Sequence, residues 1–65
     1  MKLKEMRIKN GLTQEELAAK LDVGQPSVAL WETGKNFPTV KKLIQIAEIF
    51  GCTLDDLIDK EIKST

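Results

Sequence analysis

The chain is 65 residues long, with ten Lys and Arg against ten Asp and Glu, one cysteine and no histidine. That length is one small domain, expected over residues 1–65 with a charged tail at 59–65, and 42% hydrophobic with 31% charged residues fits a folded globule. One Cys and no His leave no internal disulfide, no clustered zinc site and no Ser–His or Cys–His pair, and no apolar run approaches the ~18 residues of a membrane span. We therefore expect a reduced, cytoplasmic protein with no metal, no cofactor and no small-molecule ligand, and not an enzyme.

A first helix is expected from near Lys2 to Asn10-Gly11, with Leu3 and Met6 on one face. Thr13-Gln14-Glu15-Glu16 reads as a capping box opening a second helix, whose apolar face is Leu17, Ala18 and Leu21. Asp22-Val23-Gly24 breaks it. A third helix follows from about Gln25 to Thr33, with Pro26 in its first turn, Val28 and Trp31 facing inward, and Gly34 as a left-handed cap. Lys35-Asn36-Phe37-Pro38 is a loop, in which Phe37 either closes over the core or sits partly exposed. Thr39 caps a fourth helix, Val40 to Phe50, with Val40, Leu43, Ile44, Ala47 and Phe50 as inner positions and Lys41-Lys42 on the wet face. Thr53 caps a short fifth helix with Leu57 and Ile58 on its apolar side. No segment alternates with the period of a strand, so the fold expected is all-α, a bundle of five short helices.

The neutral total conceals a polarity. Residues 1–42 hold eight Lys and Arg against five Asp and Glu, and residues 43–65 hold two against five. A polyanion would meet the first two-thirds of the chain. The pairs Glu15-Glu16 and Asp55-Asp56 fall in first turns, where the helix dipole accounts for them. Trp31 and Cys52 read as packing residues.

The informative unit is Gln14 to Thr33. Two short helices joined by a three-residue turn cross steeply, and the second projects its outer face. On the third helix that face is Gln25, Pro26, Ser27, Ala29 and Leu30, which carries no charge. An uncharged, polar-to-apolar face suits the edges of bases.

The sequence resembles the Cro/repressor helix-turn-helix family, the phage-repressor-like DNA-binding domains of bacterial and phage regulators. The resemblance rests on Leu3–Arg7, Gly11-Leu12-Thr13-Gln14-Glu15-Glu16-Leu17-Ala18, Val23, Val28, Trp31-Glu32, Gly34-Lys35, Pro38-Thr39 and Leu54–Ile58, in order and at the right spacings over residues 3 to 58. It implies a lambda-repressor-like bundle that binds double-stranded DNA, with the third helix in the major groove. By that resemblance Gln25 is the main base reader, since its amide can bond adenine N6 and N7 together, and Pro26, Ser27, Ala29 and Leu30 shape the fit. Gln14, Lys35 and Asn36 would hold phosphates, with Lys41 or Lys42 adding a screened contribution. Arg7 of the first helix would form an ion pair with Glu32, which follows the aromatic of the third. Two departures stand out: Asp22 occupies a turn position usually held by Gly, and the third helix has no Arg or Lys.

The function these residues imply is a sequence-specific transcriptional regulator on a palindromic operator. A weak homodimer is expected through the fifth helix and tail, along Leu54, Leu57, Ile58 and Ile62. The neutral charge and charge-free third helix keep a second reading open, a protein-interaction module such as an antitoxin-like partner on the same fold.

Overall fold

The computed structural model describes residues 1–58. Their order is α1 (Leu3–Lys9), α2 (Gln14–Leu21), α3 (Gln25–Thr33), α4 (Val40–Phe50) and α5 (Leu54–Ile58). The sequence-derived starts and stops reappear as explicit caps. The Thr13 hydroxyl accepts from the Glu16 N–H at 3.0 Å, and the Glu16 carboxylate accepts from the Thr13 N–H at 2.8 Å. Thr39 caps α4 by accepting from the Lys42 N–H. Thr53 and Asp56 form the same reciprocal pair at the head of α5.

Helices α1 to α4 also share one kind of ending. Each closes with a backbone bond spanning five residues: Leu12 N–H to Arg7, Val23 to Ala18, Lys35 to Leu30, and Cys52 to Ala47. This bond satisfies carbonyls that the helix leaves unpaired, and it needs a left-handed residue just before the donor. Gly34 and Gly51 supply that conformation without strain after α3 and α4. After α2 the position falls to Asp22, at φ 60°, ψ 44°. Asp tolerates this region better than most residues but not as well as Gly. Its carboxylate also sits at the negative end of the α2 dipole. Asp22→Gly removes both penalties, against a smaller gain in unfolded-chain entropy. The expected result is a rise of about 0.5–1 kcal/mol, or about 4 °C in Tm. Asp22→Asn, which removes only the charge, should give part of it. A drop in Tm for Asp22→Gly would show that the turn carries no strain.

The core forms around α2 and α3, which pack closely on each other. α1 closes against α3 and α5, and α4 against α2 and α5. Leu3, Leu17, Leu21, Val28, Ile46 and Leu57 are fully buried, and Trp31 is 8% exposed. The Lys2 N–H donates to the Leu57 carbonyl at 2.8 Å, which ties the two ends of the described chain.

Three expectations from the sequence are corrected. Val40 and Ile44 are 68% and 44% exposed, and Ile46 is buried in their place. The inner stripe of α4 is Leu43, Ile46 and Ala47, because the helix is rotated to present that face to α2 and α5. Lys42 is not simply solvated: its Nζ donates to the Leu21 carbonyl at 2.6 Å, holding the end of α2. Finally, Leu57 is wholly buried and Leu54 and Ile58 are half-buried, so the proposed dimer stripe is largely consumed by the core. Ile62 and the 59–65 tail lie outside the described residues.

Candidate nucleic-acid interface

Arg7 is the buried charged residue of the core region. It faces inward one turn past Leu3 and meets Glu32, at the end of α3. Arg7 Nε donates to Glu32 Oε2 at 2.6 Å and Nη2 to Oε1 at 3.2 Å, a two-pronged ion pair. The remaining arm, Nη1, donates to the Leu12 carbonyl at 2.8 Å. The side chains are 10% and 3% exposed. A charge this dry is tolerated because each group has its partner.

Glu32 holds more than Arg7. Its Oε1 also accepts from Gln14 Nε2 at 2.9 Å, and Gln14 Oε1 accepts from Gln25 Nε2 at 2.6 Å. An unbroken line of contacts therefore runs Arg7–Glu32–Gln14–Gln25, from α1 through α3 and α2 to the start of α3. Burial alone pushes the Glu32 pKa upward. The hydrogen bonds from Arg7 and Gln14, helped by the Arg7 and Lys4 charges, more than offset it and leave the carboxyl below its ordinary 4.5. Arg7 is held protonated above its ordinary value, chiefly by the bond to Glu32. The sign follows from linkage. A depressed carboxyl contributes stability that is complete above its unfolded pKa and is lost as pH falls through the folded one. Melting curves from pH 7 to pH 2 should therefore show a larger acid loss for the wild type than for the paired variant Arg7→Met/Glu32→Leu. Parallel curves would mean that Glu32 does not carry this linkage.

Gln14 and Gln25, with Arg7, Leu12, Thr13 and Glu15, line an open depression of about 420 Å³ at the head of α2. Of the sequence-predicted site residues, Arg7, Gln14 and Gln25 line it. Gln14 and Gln25 meet directly. Pro26 is exposed, Ser27 and Ala29 are half-buried, and Leu30 is 38% exposed, so the outer face of α3 is available along its length. Lys35 and Asn36 are exposed just past the Gly34 cap, and both backbone N–H groups donate to the Leu30 carbonyl. Only their side chains are left to reach an anion. Gln14 has one amide hydrogen left, and the first-turn N–H groups of Gln14 and Glu15 have no carbonyl one turn back within α2. Sequence reasoning missed the Gln14 bonds to Glu32 and Gln25. Their partners are 18 and 11 residues away, and no local pattern signals them.

Elsewhere, Cys52 is half-buried with its thiol 3.8 Å from the Met6 sulfur, and burial followed by the nearby Asp56 charge pushes its pKa up. That is a packed thiol, not an activated one. Phe37 is 65% exposed and precedes exposed Val40 and Ile44, which lie four apart on the outer side of α4. No helix among the described residues is long and apolar enough to cross a membrane.

The helix-turn-helix family model matches residues 3–57. The chain is 38% identical over 60 residues to the HTH-type transcriptional activator BcrR of Enterococcus faecalis, covering 92% of this chain and 29% of that protein. It is 41% identical over 56 residues to the uncharacterized HTH-type transcriptional regulator MJ0272 of Methanocaldococcus jannaschii, covering 86% and 85%. It is 27% identical over 70 residues to the cryptic phage CTXphi transcriptional repressor RstR of Vibrio cholerae, covering 97% and 63%. The chain thus spans under a third of BcrR and most of MJ0272.

Proposed function

The chain belongs to the helix-turn-helix family of DNA-binding transcriptional regulators, and we propose that it reads a palindromic operator in the cytoplasm with the outer face of α3 in the major groove. The observation that carries this is the junction of Gln14 and Gln25 at the head of α2, beside an uncharged α3 face. Gln25 reads a base, Pro26, Ser27, Ala29 and Leu30 fit the groove, and Gln14, Lys35 and Asn36 hold phosphates.

Dimerisation is part of the proposal. With Leu57 in the core, the exposed apolar side chains among the described residues include Phe37, Val40 and Ile44, and Ile8 on α1. The exposed pair Val40 and Ile44, neighbours on α4, favours the second reading, a protein-interaction module such as an antitoxin-like partner, because exposed apolar side chains side by side mark contact surfaces.

Titration of fluorescent DNA duplexes at two salt concentrations separates the two readings. DNA binding that weakens steeply with salt supports the first, and its absence supports the second. Lys35→Ala should weaken binding to operator and random duplex alike and reduce the slope of log K against log salt by about one. An unchanged slope removes Lys35 from the phosphate set.

A further inference from the structure

We infer that Glu32, which stands behind the reading head, determines which purine Gln25 accepts by fixing the sense of its side-chain amide. The inference rests on the reading of Gln25 as a base contact. A carboxylate with Arg7 already bound to it can only accept hydrogen bonds. Glu32 Oε1 therefore draws the Nε2 end of Gln14 toward itself, at 2.9 Å. The Gln14 oxygen is left facing α3. An oxygen there must be met by a donor, and Gln25 meets it with Nε2 at 2.6 Å. Two amides in series thus inherit their direction from one buried charge, and Arg7 holds that charge in place at 2.6 Å.

The consequence lies at the other end of Gln25. One Nε2 hydrogen is spent on Gln14. The second hydrogen and Oε1 remain as a donor–acceptor fork, with the donor on the side of α2. Adenine offers N7 as acceptor and N6 as donor, which this fork matches; guanine offers two acceptors, N7 and O6, and sets O6 against Gln25 Oε1. An amide free to turn over can instead set Nε2 toward guanine O6, so the discrimination is weakened from both sides. Glu32 and Gln14 are positioning residues here, and neither has to touch a base.

The test uses a DNA duplex selected by the wild-type chain from a randomised library, and a second duplex with the Gln25-dependent A·T pair changed to G·C. The readout is the ratio of the two affinities. Gln14→Leu removes the link while leaving the Arg7–Glu32 pair intact, and Arg7→Met/Glu32→Leu removes its origin while restoring charge balance. Both should lower the adenine preference about tenfold; random-duplex affinity stays within about twofold in the paired variant, and falls on both duplexes alike in Gln14→Leu, which also gives up a phosphate contact. In the free protein, one Gln25 side-chain amide proton should be shifted and slow to exchange with water, and should become ordinary in Gln14→Leu, which removes its acceptor. Should Gln25→Ala abolish the preference while both relay variants retain it, the inference is overturned and the base contact stands. Should Gln25→Ala itself leave the preference intact, the base contact is overturned and the inference with it.

Discussion

Arg7→Met and Glu32→Leu, made singly, are each expected to destabilise the domain by about 3–5 kcal/mol, and together to recover most of that loss. Each single change strands a charge in a site where the side chains are only 10% and 3% exposed. Scaled by length, a domain of 65 residues has roughly 3–10 kcal/mol in total, so either single variant approaches the limit of folding. The paired variant replaces two charges with apolar groups of similar size, which is often neutral once both are gone. Recovery should stop about 1 kcal/mol short, because the Leu12 carbonyl loses its bond from Arg7 Nη1. Urea melts of the four proteins check this. Strictly additive losses would show that the two side chains do not couple.

The second large effect concerns DNA. Gln25→Ala should cost roughly 1–3 kcal/mol on the operator and little on random duplex, because a bidentate amide–adenine contact contributes discrimination and not general affinity. The geometry sharpens this expectation. Gln25 is half-buried and already anchored through Nε2, so less side-chain freedom is lost on binding. The α3 fold does not depend on the side chain, since Val28 and Trp31 anchor the helix from its inner face. Anisotropy titrations on both duplexes provide the comparison. Equal losses on the two would remove Gln25 from base readout.

How legible these features were in the sequence depends on how local their physics is. The capping box at Thr13 and Glu16 and the Gly34 cap are set within a few residues, and their spacing alone announced them, whereas the left-handed turn at Asp22 was implied by the family resemblance. The pairing of Arg7 with Glu32 spans 25 residues and came only from resemblance to a family. Helix α4 shows where pattern fails. Its sequence VKKLIQIAEIF carries two competing stripes, Val40–Leu43–Ile44–Ala47 and Leu43–Ile46–Ala47–Phe50. Both have helical spacing, and only the position of α2 and α5 decides between them. The Lys42 bond to Leu21 and the Gln14 bridge were hidden for the same reason: each needs two elements already in place.

The central claim is that the head of α2 and the outer face of α3 meet DNA together. Titrating a selected operator duplex into isotopically labelled protein and following the backbone amides tests it most directly. The account predicts the largest shifts at Gln14, at Gln25 through Leu30, and at Lys35 and Asn36, with the amides of Val40 and Ile44 changing only if a second copy binds beside the first. Shifts confined to Phe37, Val40 and Ile44, with Gln14 and Gln25 unmoved at saturating DNA, would contradict it.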